Sequence, residues 1–266
     1  MKRKIWFISL LAAVFIFASV TGVSAAGYFN TDDVSKGLIY VSCNADGKLK
    51  VIIQKGDTKY TYDLNSAGVT ETFPLQMGNG TYKISLFKNT SGTSYKLLGS
   101  TTVTVNMSKP NAVYLSSIQN INWTSSSLSV EKAVQLTSNS ADFKEKAKIL
   151  WDYMIKNNSY DYSKLANLST GYIPLPDSTF IAKKGICYDF ACLYAAMLRS
   201  QGVPAKLVKG YSPKYVSGYH AWNEVYNTDT GQWYIVDTTY DLQIFKKSAA
   251  SSIDKNSSDF IKVYEY

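Results

Sequence analysis

The chain is poor in the side chains that most often carry chemistry. Its 266 residues include one histidine, His220, and three cysteines, Cys43, Cys187 and Cys192. Arginine occurs only at Arg3 and Arg199. The scarcity of arginine argues against a nucleic-acid reader, which depends on planar bidentate forks. A single histidine and scattered cysteines argue against a zinc site, and no cofactor or metal is expected. An odd cysteine count is not a disulfide framework; it points to a free thiol. Cys187 and Cys192 diverge if they share a helix, so a bridge between them is disfavoured, while a Cys43–Cys192 pair stays open as a minor alternative.

What is present begins with a leader. Lys2, Arg3 and Lys4 precede an apolar run from Ile5 to Val20, and Val23-Ser24-Ala25 or Ser24-Ala25-Ala26 offers a small-x-small cleavage site. Residues 1–26 therefore read as a secretory signal peptide. The alternative, an uncleaved anchor, is disfavoured because the run is short for a span. No cysteine follows the cleavage region, which argues against a lipid anchor. The expected location is secreted or extracellular, with cell-envelope association left open. Loss of the three leader cations lowers the formal net charge from +8 to about +5. This suits either simple solubility or an anionic envelope.

Residues 27–107 read as a small β-sandwich of immunoglobulin-like or fibronectin-like type. LIYVSCN, KLKVIIQKG, KYTYDL, VTETFPL, TYKISLFKN and STTVTVN are short alternating segments, separated by turns such as Ala45-Asp46-Gly47, Gly56-Asp57 and Gly78-Asn79-Gly80. Residues 108–129, rich in Ser, Asn and Thr, read as a linker. Residues 130–266 read as a second, α+β domain.

In that domain residues 130–157 carry helical spacing, with Ala147, Leu150, Trp151, Met154 and Ile155 on one face and a capping box at Asp142 and Glu145. Residues 157–180 read as a long loop of the kind that is often functional. A helix is expected from about Cys187 to Ser200, stopped by Gly202 and Pro204. Three strands follow, AKLVKGY, GYHAWNEVYN and QWYIVDTTY, the last two joined at Thr228-Asp229-Thr230-Gly231. Phe260 to Tyr266 offers a further terminal strand.

Cys187 falls at the start of the expected helix. Unpaired backbone N–H groups and the helix dipole there favour an anion, and a thiolate is the reactive form of cysteine. Lys183 and Lys184 would add to this if their ammonium groups came close. Cys192, among apolar neighbours, reads as an inert core thiol. A hairpin centred between Thr228 and Asp229 sets His220 opposite Asp237; a slip of two residues makes them diagonal neighbours on the same face. Asp237 can then fix the imidazole tautomer. Glu224 and Asp241 are less well centred alternatives.

The blocks GICYDFACLYAAMLRSQGVPAKLVKGY, HAWNEVY and WYIVDTTYD, in this order, resemble the transglutaminase-like superfamily of papain-type cysteine enzymes. The upstream segment EKAKILWDYMIKNNSYDY also resembles that family. The resemblance implies a helix packed on an antiparallel sheet. It implies Cys187 as nucleophile, His220 as base and Asp237 as its orienting acid. It also implies acyl transfer at amide bonds, as hydrolysis, deamidation or cross-linking, with a protein or peptide substrate and cell-wall peptides among the candidates. A second oxyanion donor would come from upstream of the thiol, with Tyr160, Trp151 and Asn158 all open. Features of calcium-dependent animal enzymes are not evident. The alternative function is a non-catalytic cell-surface or wall-binding protein on the same scaffold.

Overall fold

The computed structural model describes residues 27–247 and 252–266. The expected signal peptide, residues 1–26, lies outside the described residues. Among the described residues no helix is long and apolar enough to cross a membrane. The architecture is α+β and divides into two compact units. The smaller takes the described residues through Val34 together with 39–71 and 79–106; the larger takes 35–38, 72–78 and 107–266.

The N-terminal part is β-rich, with strands β1 (Phe29–Asn30), β2 (Leu38–Val41), β3 (Leu49–Lys55), β4 (Thr58–Leu64), β5 (Glu71–Pro74), β6 (Gly80–Ser91) and β7 (Ser94–Val105). In the smaller unit β4-β3-β6-β7 form an antiparallel sheet. Alternation sets its faces: Tyr60, Tyr62 and Leu64 of β4 are buried while the residues between them are exposed. Gly56, at φ +57°, makes the tight turn that pairs Lys55 with Thr58.

Residues 108–129 differ from the expected linker. They form a 3₁₀ turn at Pro110–Leu115 and an isolated bridge between Ile118 and Ile121. Val113, Tyr114, Ile118 and Ile121 are buried, so this serine-rich stretch belongs to the larger unit. A few apolar residues at irregular spacing anchor it, and periodicity does not report such a pattern.

The larger unit contains helices α1 (Leu128–Thr137), α2 (Phe143–Asn157), α3 (Tyr162–Ala166), α4 (Pro176–Ala182), α5 (Cys187–Ser200) and α6 (Thr238–Phe245). Its strands are β8 (Ser159–Tyr160), β9 (Lys184–Gly185), β10 (Ala205–Tyr211), β11 (Tyr219–Asn227), β12 (Gln232–Val236) and β13 (Ile261–Glu265). The helical pattern expected over 130–157 is two helices, because Asp142 accepts the Glu145 N–H at 2.7 Å and starts a new one. The first is capped from a distance: the Asp177 carboxylate accepts the N–H groups of Leu128 and Ser129 at 2.9 and 3.0 Å. The expected long loop holds β8, α3 and the start of α4, with Asp161 capping α3 through the Lys164 N–H.

Helix α5 is the axis of this unit. Every residue from Asp189 to Arg199 is buried. It packs on the antiparallel sheet β12-β11-β10-β13, whose last strand is the C-terminal segment paired with β10. Asn223 of β11 ties sheet to helix, donating to the main-chain oxygens of Ala191 and Lys206 at 2.9 and 3.0 Å. Arg199 ends the helix with its guanidinium buried. It donates to the main-chain oxygens of Ala205, Ser116 and Tyr266, each at 2.8 Å. Burial pulls this arginine down to about 9.

Replacing Arg199 by Met keeps the apolar stem and strands three buried acceptors. We expect a loss on the order of 3 kcal/mol of unfolding free energy, read from the urea midpoint. A loss under about 0.5 kcal/mol, the range of ordinary surface changes, would show that the fork does not hold the sheet's last strand.

Candidate active site

Gly185 and Ile186 deliver the chain into α5. The Asp189 carboxylate folds back and accepts the Ile186 N–H at 2.8 Å, which fixes the first turn. A Cβ on Gly185 would lie 2.8 Å from Asp189 Cβ, so only glycine lets the strand end approach so closely. Cys187, the next residue but one, is a free thiol and partly exposed. Cys43 and Cys192 are also free and both are buried. Cys192 donates to the Asn120 main-chain oxygen at 3.1 Å, and burial pushes its thiol well up. It is buried, as its apolar neighbours implied.

His220 lies in β11 and is 2% exposed. Its Nε2 meets Asp237 Oδ2 at 2.7 Å. The hairpin register pairs Asn223 with Val236 and Asn227 with Gln232, which puts Asp237 level with Trp222 rather than His220. The slip of two is the arrangement found, so the pair is diagonal. The third strand also ends earlier than expected, at Val236. Asp237 is the N-cap of α6, its Oδ1 accepting the Tyr240 N–H at 3.0 Å. Both carboxylate oxygens are used, and the group is fully buried.

Nε2 being taken by Asp237, the other ring nitrogen is left over, and Cys187 is among the groups that act on the imidazole. Burial alone would pull His220 down. The Asp237 carboxylate, its hydrogen bond and the bond to Cys187 outweigh that and raise the imidazole from 6.5 to about 10. Trp222 stacks on the ring at 6.2 Å between centroids. Gly210, opposite His220, gives that indole room: a Cβ there would come within 2.9 Å of Trp222.

The alternative acids have other partners. Asp241 accepts the Trp151 indole N–H at 2.8 Å and pairs with Lys255. Glu224 pairs with Lys206 and Lys262. The upstream donors also sort themselves. Trp151 is committed to Asp241, and the Asn158 amide donates to the Met154 main-chain oxygen. Tyr160 is set beside the thiol's approach by the parallel pairing of β8 with β9, where it faces Gly185. Burial, and after it the charge of Cys187, raises its phenol well above the ordinary value, so it stays a donor.

Three features escaped the sequence reading. Asp189 is fully buried and shared by Lys164, at 2.7 Å, and the Tyr172 hydroxyl. Lys184 is drawn to Asp161 at 3.2 Å and Lys183 is exposed. Lys209 instead has its Nζ 3.6 Å from the ring centroid of Tyr188. Tyr188 directly follows Cys187, but only the sheet register brings Lys209 to it.

An α+β unit with a thiol at the mouth of a buried helix, and a histidine–carboxylate pair facing it from a sheet, belongs among thiol-enzyme folds. Residues 130–238 match the transglutaminase-like superfamily, and the chain carries a transglutaminase-like domain. Over 85 residues it is 33% identical to the uncharacterized protein ML0607 of Mycobacterium leprae (strain TN); the match covers 29% of this chain and 29% of that one. The chain thus spans less than a third of that relative's length. Among solved structures, a candidate cysteine protease of Cytophaga hutchinsonii superposes with a TM-score of 0.48 at 14% identity, over 86% of this chain and 76% of that one. Legionella pneumophila LapG, EGTA-treated, gives a TM-score of 0.39 at 20% identity, over 51% and 70%.

The raised imidazole makes a stability prediction with a definite sign. The folded state binds the His220 proton more tightly than the unfolded chain does. Its contribution is therefore complete below about pH 6.5, the unfolded value, and is lost as pH rises towards about 10. We expect the stability advantage of wild type over His220→Gln, from urea unfolding, to shrink steadily between pH 7 and 10. An advantage that stays constant or grows over that range would show that the buried pair is not an imidazolium–carboxylate pair.

Proposed function

We propose that this chain is a secreted thiol acyl-transfer enzyme acting on peptide or protein amides, with Cys187 as nucleophile, His220 as acid and base, and Asp237 as its orienting group. The observation that carries this reading is the 2.7 Å bond between His220 Nε2 and the Asp237 carboxylate, which leaves the other imidazole nitrogen to serve the thiol. The smaller β-rich unit is an accessory domain for surface or wall targeting. Cell-wall peptides are the favoured substrate, and hydrolysis is favoured over cross-linking.

The steps follow from the geometry. The Cys187 thiolate adds to the amide carbon and the carbonyl electron pair moves onto oxygen. The Cys187 N–H, unpaired at the first helical position, and the Tyr160 hydroxyl stabilise that oxyanion. Acylation removes the sulfur's negative charge, so His220 gives up its proton more readily. That proton passes to the nitrogen as the C–N bond breaks, leaving a thioester and a free amine. Neutral His220 then takes a proton from an attacking water, or from an acceptor amine in cross-linking. Collapse releases the product and restores the thiolate–imidazolium pair. Throughout, Asp237 holds the ring by Nε2 and offsets its charge.

Iodoacetamide labelling at neutral pH and product analysis with wall peptides, or with casein plus a fluorescent amine, test this. We expect one rapid adduct at Cys187, slowed roughly 10²-fold in His220→Ala, and no turnover in a folded Cys187→Ser. Asp237→Asn should keep its helix cap but lose at least about tenfold in turnover, because the amide sets the wrong tautomer. Tyr160→Phe should lose about 10²-fold in turnover while alkylation, which develops no oxyanion, proceeds normally. Equally slow labelling at Cys187 and Cys192 would point instead to a binding scaffold.

A further inference from the structure

Lys209 has no place in the steps above, yet it lies beside them. Its Nζ sits over the Tyr188 ring at 3.6 Å and reaches the Tyr266 ring at 5.1 Å. Tyr188 is the residue after Cys187 in the first turn of α5, so the ammonium is held against the thiol's neighbour, with an aromatic ring on two sides. Its strand pairs Lys209 with Ala221, so Lys209 leaves the sheet on the face of Ala221 and Asn223, the face that packs on α5, while the neighbouring His220 leaves on the other.

Other cations of this unit spend their charge on carboxylates, among them Lys164 on Asp189, Lys184 on Asp161, Lys206 on Glu224 and Glu265, and Lys255 on Asp241. Lys209 forms no ion pair with any described carboxylate, and its contacts are the ring faces of Tyr188 and Tyr266. Burial pulls it down to about 8, with the charges of Cys192 and Cys187 opposing that fall. A half-buried ammonium without a carboxylate is costly unless something arrives to pair with it. Lys209, Cys187 and Tyr188 are all partly exposed, so an arriving group can reach all three.

We propose that Lys209 is the specificity residue of the site and receives a carboxylate of the substrate next to the scissile amide, so that the preferred acyl donors are acidic peptides. This rests on the thiol-enzyme reading of Cys187 and deepens it. The carboxylate would displace water from a cation already held in place by Tyr188 and Tyr266, so little side-chain ordering remains to be done on binding. The same contact would set the carbonyl carbon over the sulfur, three or four bonds from the carboxylate carbon in an aspartyl or glutamyl donor.

A pair of alkylating probes tests it without knowledge of the natural substrate. Iodoacetate carries a carboxylate one bond from the carbon that the sulfur attacks, and iodoacetamide is its neutral counterpart. The measured quantity is the ratio of the two rates at Cys187, with glutathione as the reference thiol, in wild type, Lys209→Met and Lys209→Gln. We expect the wild-type ratio to exceed that of glutathione and to fall by at least about fivefold, the scale of one charge-assisted hydrogen bond, in both variants. A wild-type ratio no higher than that of glutathione overturns the proposal with no variant needed. So does a ratio that stays the same in the variants, including the case where both rates drop in parallel because Lys209 acts only on the sulfur. The underlying thiol reading fails differently: iodoacetamide labelling of Cys187 is then slow in wild type and insensitive to His220→Ala.

Discussion

Asp237 is where the geometry of the larger unit converges. One of its oxygens closes the first turn of α6 by accepting the Tyr240 N–H, and the other accepts from His220. The carboxylate therefore cannot rotate without giving up a helix cap. Buried away from water, it is also the charge that keeps a proton on the imidazole against the pull of desolvation. The orientation of His220, and through it the environment of Cys187, follows from a residue that ends a strand and begins a helix.

The other half of the site depends on how α5 is held. Its first turn is closed by Asp189, whose negative charge lies two residues from the thiol and would disfavour an anion there. Lys164 and the Tyr172 hydroxyl engage that carboxylate. At the far end Arg199 fastens the helix to the start of β10 and to the last residue of the chain. With Asn223 pinning the middle of the helix to β11, a small displacement of the thiol relative to the imidazole requires moving several buried hydrogen bonds at once. Geometry fixed in this way is what a reaction with a narrow range of productive distances needs.

Charge and aromatic surface are distributed unevenly around the thiol. Tyr160 lies on the β8 side, packed against Tyr162 at 4.9 Å. Tyr188 and Lys209 lie on the sheet side, with Tyr211 and Tyr219 in contact at 5.4 Å further along the same strands. The first side offers a neutral donor and the second a cation. An acyl group with a carbonyl at one end and a carboxylate at the other matches that asymmetry.

The sequence by itself determined the order of elements in the larger unit, the start of α5 at Cys187 and its stop before Gly202, because these depend on nearest neighbours along the chain: apolar spacing, caps and turns. It also narrowed the chemistry sharply, since a chain with one histidine has one place to put a neutral base. It carried the transglutaminase-like resemblance, whose matching blocks are contiguous. Other features were set at long range and were hidden for that reason. The slip that makes His220 and Asp237 diagonal depends on strand pairing. The partners that Trp151 and Asn158 take depend on where the competing acceptors lie. The folding of 108–129 into the larger unit depends on four buried side chains with no period, and the placing of Lys209 over the Tyr188 ring depends on sheet register. Hydrogen bonds and charges act through space over a few ångströms, and only the packed chain decides which residues come within that range.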